Sequence, residues 1–178
     1  MRNFRTLSFI ASSFLVAFSS VVNADSAIRA YNYNPNSLTQ TEIQKCVTPL
    51  NTFSNVLLTP CAAPSSQLPQ GNEWTFKSVS NNTYEISINV FHNTSPISVL
   101  SQCLDDHGGS DNVISWDCNG GGNQKWKIGT SVYQSPTSVP TPVTLITGNN
   151  WCLTRDLNNV FVKPCDDSAS QAWIIPNI

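Results

Sequence analysis

Apolar positions along this chain follow two different patterns. Residues 7–18 form one run broken only by serines, with Arg2 and Arg5 before it and the small-residue exit Val22-Asn23-Ala24 after it. A charged start, a short apolar centre and a cleavable end mark a secretory signal peptide over residues 1–24. The run is short and serine-interrupted against the roughly 20 residues of a membrane span. Beyond it, no stretch sustains a 3.6-residue apolar period. Short apolar runs recur instead, at 28–33, 84–91, 113–116, 143–147, 160–162 and 172–175, set between Gly, Pro, Asn and Asp residues. This is the pattern of strands and turns. It predicts one all-β domain over residues 25–178, with 25–44 an N-terminal arm and the Pro-rich piece 135–142 a connector.

The pattern also repeats. Lys45-Cys46-Val47-Thr48 leads through Val56-Leu57-Leu58-Thr59-Pro60-Cys61 to Asn72-Glu73-Trp74. Gln102-Cys103-Leu104-Asp105 leads through Val113-Ile114-Ser115-Trp116-Asp117-Cys118 to Gln124-Lys125-Trp126, and Trp151-Cys152-Leu153-Thr154 through Val160-Phe161-Val162-Lys163-Pro164-Cys165 to Gln171-Ala172-Trp173. First to second Cys spans 15, 15 and 13 positions, and the tryptophans are 52 and 47 apart. A unit of roughly fifty residues therefore occurs three times and fills the chain after the leader.

Six cysteines, all beyond residue 24, form an even set in an exported chain, and read as disulfides before metal ligands or nucleophiles. Six admit fifteen pairings. Repeat symmetry selects the local one, Cys46–Cys61, Cys103–Cys118 and Cys152–Cys165. Closing each loop of about 15 residues contributes about 3 kcal/mol in the chain-entropy model.

Removing the leader leaves 154 residues with seven Lys and Arg against eleven Asp and Glu, a charge of −4. That balance argues against nucleic acid and anionic membrane surfaces as partners, since both need a basic patch. Charged residues make up 11% of the chain. The polar surface must then consist largely of hydroxyls and amides, groups that also suit a neutral sugar.

Two of the three tryptophans complete a Q-x-W motif, and Asn72-Glu73-Trp74 is a diverged third copy. Three such motifs in register with three Cys pairs resemble the ricin B-chain type of lectin domain. The resemblance implies a β-trefoil: twelve strands in three four-stranded lobes about a pseudo-threefold axis. It implies that Trp74, Trp126 and Trp173 fill the shared core and that the Gln braces its lobe. It further implies a sugar pocket made by an Asp two residues after the first Cys, an aromatic shortly before the second, and an Asn ahead of the Q-x-W Gln.

Lobe two alone carries that set, as Asp105, Trp116 and Asn123 with Gln124 behind them. An ionised Asp makes charge-assisted hydrogen bonds to hydroxyls, and an indole offers a flat apolar face to the C–H patch of a galactose-like ring. Ile114 departs from the family pattern, which often has a polar residue there. Lobe one has Thr48 and Thr59 at the Asp and aromatic positions, and lobe three has Thr154, Lys163 and Ser170 at the Asp, aromatic and Asn positions. Asp106 and His107 read as a solvated loop at the rim, and Trp151 as a core or inter-lobe residue before a second platform.

Catalysis finds little support in these residues. The chain has two His, at 92 and 107, and the pairs Asp105-Asp106 and Asp166-Asp167 are adjacent. A glycosidase pair must flank one bond about 5–9.5 Å apart, whereas neighbouring strand residues face opposite sides. No phosphate loop, nucleophile elbow or metal-ligand spacing occurs, so no enzyme, cofactor or metal is expected. The expected function is a secreted or periplasmic lectin for glycans of cell-surface glycoproteins or glycolipids. Length and leader also resemble the ricin-like accessory subunits of cytolethal distending toxins, which bind cells beside a catalytic partner chain. A protein-binding trefoil such as a protease inhibitor is a third reading.

Overall fold

The computed structural model describes residues 24–31, 45–50, 52–61, 72–92, 98–108, 111–132 and 141–175, the side chains of 24–26 and 91–92 excepted. Most of the expected 1–24 leader, most of the 25–44 arm and most of the 135–142 connector lie outside the described residues.

The strands are β1 (Ala24–Ala27), β2 (Arg29–Ala30), β3 (Lys45–Pro49), β4 (Val56–Pro60), β5 (Glu73–Ser80), β6 (Thr83–His92), β7 (Ser98–Asp105), β8 (Ile114–Asp117), β9 (Lys125–Thr130), β10 (Val143–Thr147), β11 (Trp151–Asp156), β12 (Asn159–Pro164) and β13 (Trp173–Ile174). Two short 3-10 turns, Gly122–Gln124 and Ala169–Gln171, precede Trp126 and Trp173. Among the described residues there is no longer helix, and no helix is long and apolar enough to cross a membrane.

Pairings close a ring. β1 pairs with β5, β5 with β6, β6 with β9, β9 with β10, β10 with β13, and β13 with β2. Because β1 and β2 are one segment interrupted at Ile28, the ring is a six-stranded barrel. The remaining strands form three hairpins, β3–β4, β7–β8 and β11–β12. These hairpins meet one another around the axis, with bridges Asn55↔Ile114, Asn112↔Phe161 and Leu57↔Asn159. The chain is a β-trefoil of three lobes, as the resemblance implied.

Each lobe donates the same groups to the common core. Val47, Leu104 and Leu153 follow the first cysteines, and Val56, Val113 and Val160 lie at or beside the start of the second strands of the hairpins; all are buried. Trp74, Trp126 and Trp173 are fully enclosed. Their Nε1–H groups donate to Val47 O, Leu104 O and Leu153 O at 2.9, 2.8 and 2.9 Å. A buried indole needs such a partner for its one polar atom. Each tryptophan removes about 200 Å² from water, worth about 5 kcal/mol, so the Q-x-W tryptophans are architectural.

The disulfides Cys46–Cys61, Cys103–Cys118 and Cys152–Cys165 staple the bases of the three hairpins. No described cysteine is free. Such bonds belong to oxidising compartments.

Candidate functional site

The register of the second hairpin positions the sequence-predicted pocket. Asp105 lies opposite Ile114, and Cys103 opposite Trp116. Side chains two apart on a strand share a face, and diagonal neighbours across a ladder stay within reach of a large ring. Asp105 and Trp116 thus belong to one face. Ile114, where a polar residue was expected, is buried between them at 7% exposure.

Asp105 is 2% exposed and is fully engaged on its inner side. Its Oδ1 accepts from the His107 N–H at 2.7 Å and from Asn123 Nδ2 at 2.8 Å; its Oδ2 accepts from Gln124 Nε2 at 2.9 Å. A carboxylate has about four acceptor positions, so these three bonds do not exhaust its capacity. The His107 bond closes a local turn in which His107 takes a φ of 47°, a left-handed conformation uncommon for non-glycine residues.

Asn123 and Gln124 come from the 3-10 turn before β9 and play different parts. Asn123 is half-buried and holds Asp105 from the side. Gln124 is fully buried. Its Nε2 also donates to Asp117 O (2.8 Å), and its Oε1 accepts from Asn119 N (2.8 Å). Gln124 therefore ties β7, β8 and the following loop together, and can touch a ligand only through Asp105. Gly121 shapes the same loop: a Cβ there would lie 2.4 Å from Asn123 Oδ1.

Trp116 is 42% exposed and has a partner that the sequence pattern did not single out. Phe53, from the turn between β3 and β4 of lobe one, meets it edge to face with ring centroids 4.9 Å apart. Phe53 is likewise 42% exposed. A lone aromatic in the polar turn Asn51-Thr52-Phe53-Ser54-Asn55 was the available signal, but its partner lies in another repeat.

The equivalent positions of the other lobes are closed. In lobe one, Thr48 and Thr59 hydroxyls bond each other at 2.8 Å. In lobe three, Thr154 Oγ1 donates to Cys152 O and accepts from Gln171 Nε2. Lys163, at the aromatic position, is paired with Asp166 at 2.9 Å. Hydrogen bonds from the Ser168 side chain and from Lys163 hold the Asp166 carboxyl down at about 2.

The sequence matches no family model and no curated protein. Solved structures share its fold. The designed threefold-symmetric protein ThreeFoil is 15% identical, with a TM-score of 0.55 over 86% of this chain and 99% of that one. A Polyporus squamosus lectin, solved bound to the human-type influenza-binding epitope Neu5Acα2-6Galβ1-4GlcNAc, is 17% identical, with a TM-score of 0.54 over 88% of this chain and 50% of that one. Cry35Ab1 is 11% identical, with a TM-score of 0.52 over 85% of this chain and 35% of that one. The chain thus spans all of ThreeFoil but about half of the Polyporus lectin.

Proposed function

We propose that this chain is an exported carbohydrate-binding protein whose leader, residues 1–24, is removed, and whose main pocket is the outer face of the lobe-two hairpin. Asp105 accepts from a sugar hydroxyl, Trp116 stacks on the apolar face of a galactose-like ring, and Asn123 contacts a second hydroxyl at the rim. Gln124 holds Asp105 in place. The observation carrying this reading is that lobe two alone combines an exposed indole with a carboxylate fixed by three donors, where lobes one and three close the same positions on themselves. A fold shared with a lectin solved on a galactose-containing epitope agrees with it.

A single shallow pocket of this kind binds with a Kd on the order of millimolar, about −4 kcal/mol. Adhesion to a cell surface then requires a multivalent array of glycans or of the protein. The test is a glycan array on the mature protein, run beside Asp105→Ala and Trp116→Ala. Binding should vanish in both variants while the thermal transition of Trp116→Ala stays near that of the parent. Undiminished binding by Trp116→Ala overturns the assignment.

A second reading is a cell-binding accessory subunit that docks a catalytic toxin chain. It draws on Leu50, Phe53 and Trp116, three apolar side chains each more than 40% exposed. Co-purification of a partner chain, lost in Phe53→Ser with glycan binding intact, separates it from the first.

A further inference from the structure

A cavity of about 290 Å³ opens where lobe two meets lobe three, beyond the end of β7. Asp106 and Asp111 of lobe two line one side; Thr147, Asn149, Trp151 and Val162 of lobe three line the other. Its volume is close to the lower end of the roughly 300–1,000 Å³ typical of small-molecule sites, enough for one sugar ring. β7 ends at Asp105, whose carboxylate bonds Asn123 and Gln124 on the hairpin side, while Asp106, the next residue, lines this cleft.

Threefold symmetry supplies two internal controls. The positions of Asp106, Asp111, Trp151 and Val162 correspond to Arg155, Asn158, Lys45 and Leu58 where lobe three meets lobe one. There Lys45 Nζ donates to Asn158 Oδ1 at 2.6 Å, and Arg155 lies over Trp173 and donates to Ala172 O and Tyr31 O. Where lobe one meets lobe two they correspond to Pro49, Ser54, Gln102 and Ser115, and Gln102 and Ser115 are fully enclosed. At one junction the corresponding side chains bond across the seam and at the other they are enclosed, whereas Trp151 is 37% exposed at the edge of an open cleft.

The cleft's polar groups point to a ligand. Asp106 is 5% exposed, and its Oδ1 accepts from Gly108 N at 3.1 Å. The residue lines the cavity, so its carboxylate has acceptor capacity beyond the Gly108 bond to offer a ligand there. Burial, and secondarily Asp105 beside it, raise its pKa against the effect of the Gly108 bond. The opposite wall is fixed: Thr147 Oγ1 accepts from Asn149 N at 3.2 Å and from Trp151 N at 3.3 Å. The Asn149 amide is without a partner among the described residues. An aromatic plane, a carboxylate oxygen and a primary amide around a ring-sized space match a polyhydroxylated pyranose. Two carboxylates make a poor cation site, and no described group of three or more metal-binding side chains exists.

We infer that this inter-lobe cleft is a second saccharide subsite, in which Trp151 stacks on one pyranose ring while Asp106 Oδ2 and Asn149 bond its hydroxyls. The inference rests on the glycan-binding reading but not on the Asp105 pocket. The chain has five tryptophans, three of them enclosed. The indole N–H signals of protein labelled with ¹⁵N-tryptophan therefore report both sites at once, with assignments from Trp116→Phe and Trp151→Phe.

Methyl glycosides of galactose, N-acetylgalactosamine, glucose and mannose are titrated to about 100 mM, a range suited to millimolar sites. At least one should move the Trp151 signal along a saturable curve. Asp106→Asn should raise that Kd about tenfold. A Trp151 signal that none of the four moves overturns the inference, as does one equally responsive in Asp106→Asn or moved equally by calcium chloride alone. Response at Trp116 alone keeps the hairpin pocket and rejects the cleft. Response at Trp151 alone does the reverse.

Discussion

Replacing Asp105 by Asn tests whether lobe two depends on the carboxylate or merely on a side chain of its shape. All three groups facing Asp105 are donors: His107 N–H, Asn123 Nδ2 and Gln124 Nε2. Gln124 cannot turn its amide over, because Oε1 must accept from Asn119 N and Nε2 must donate to Asp117 O. An amide at position 105 has one acceptor oxygen and one NH₂. Whichever way it is turned, its NH₂ meets a donor. With the NH₂ toward Gln124, one bond is lost and the other two fall from charge-assisted to neutral strength. Charge-assisted bonds contribute about 1.5–3 kcal/mol and neutral ones about half that. His107 lies at the surface, and its amide recovers part of the loss from water. The net cost of Asp105→Asn comes to about 3 kcal/mol, or about 6–12 °C in Tm for a domain of this size.

Asp105→Thr is the informative companion, because lobe three already contains it. Thr154 Oγ1 accepts from Gln171 Nε2 at 3.1 Å and donates to Cys152 O at 2.8 Å. In lobe two the introduced hydroxyl can bond Gln124 Nε2 and Cys103 O in the same way. It gives up the bonds from His107 and Asn123, both of which water can reach. The expected cost is about 1 kcal/mol. The less isosteric substitution should therefore be the milder one. Urea unfolding of the disulfide-intact mature protein measures both. An Asp105→Asn variant within 1 kcal/mol of the parent, or more stable than Asp105→Thr, refutes the donor-crowding account. Asp105→Thr would then serve as the folded protein lacking hairpin-face sugar binding.

Three further substitutions probe neighbouring features. Asn72 replaces the bracing Gln in lobe one, and its buried Nδ2 has no partner among the described residues; Asn72→Gln should reach Thr48 and the Pro60 carbonyl and stabilise the domain by about 1 kcal/mol in urea titration. Gly121→Ala should displace the ends of Asn123 and Asn119, which a Cβ would approach to 2.4 and 2.8 Å; glycan-array affinity for the hairpin pocket should fall about tenfold while the midpoint of unfolding changes by under about 1 kcal/mol. For Asp106, burial raises the folded-state pKa above its ordinary 3.8, so the native state binds a proton more readily than the unfolded chain and stability falls as pH rises through that window. Asp106→Asn should accordingly raise Tm at pH 7, with the gain shrinking to nothing below about pH 4; an equal gain at both pH values would locate its cause outside titration.

The threefold fold was legible because its determinants are local and repeated. Each Cys–aliphatic pair, each hairpin and each Trp recurs at nearly constant spacing, and the disulfides close within single lobes, so symmetry alone could pair them. The short apolar runs found β6, β10 and β12 well. They did not cover β3, β4, β7 and β11, which the cysteine repeat marks instead, nor β9, where Lys125 and Lys127 flank a single buried Trp126, nor β5, whose second half is exposed. The division of the first strand at Ile28 was also invisible, since the Ile28 carbonyl accepts from Val47 N and no local pattern announces a partner nineteen residues away. Within the site, Asp105, Asn123 and Gln124 proved to be directly bonded, as their shared repeat suggested. Phe53 against Trp116 is a contact between lobes, and Asp106 and Trp151 line one cleft from different lobes. Such pairings join positions about fifty residues apart whose neighbours in sequence carry no matching signal, and for that reason Asp106 read as a solvated loop when it is in fact buried.

The symmetry also separates what the fold requires from what lobe two adds. In lobes two and three a Gln amide, held by the carbonyl before the second Cys and by a loop N–H, presents one N–H to the second residue after the first Cys. A single acceptor at that position satisfies the frame, and in lobe three a Thr hydroxyl does so while spending its own proton on Cys152 O. Nothing there is left over. Asp105 answers the same N–H with one lone pair of several, takes in two further donors, and still retains acceptor capacity. A charge buried to 2% exposure is costly unless its bonds repay it, and architecture alone could have been served by Thr. The surplus of acceptor capacity over structural need, next to an indole that packing leaves open, is the physical content of the proposal that the hairpin face of lobe two binds where the same face of lobe three braces.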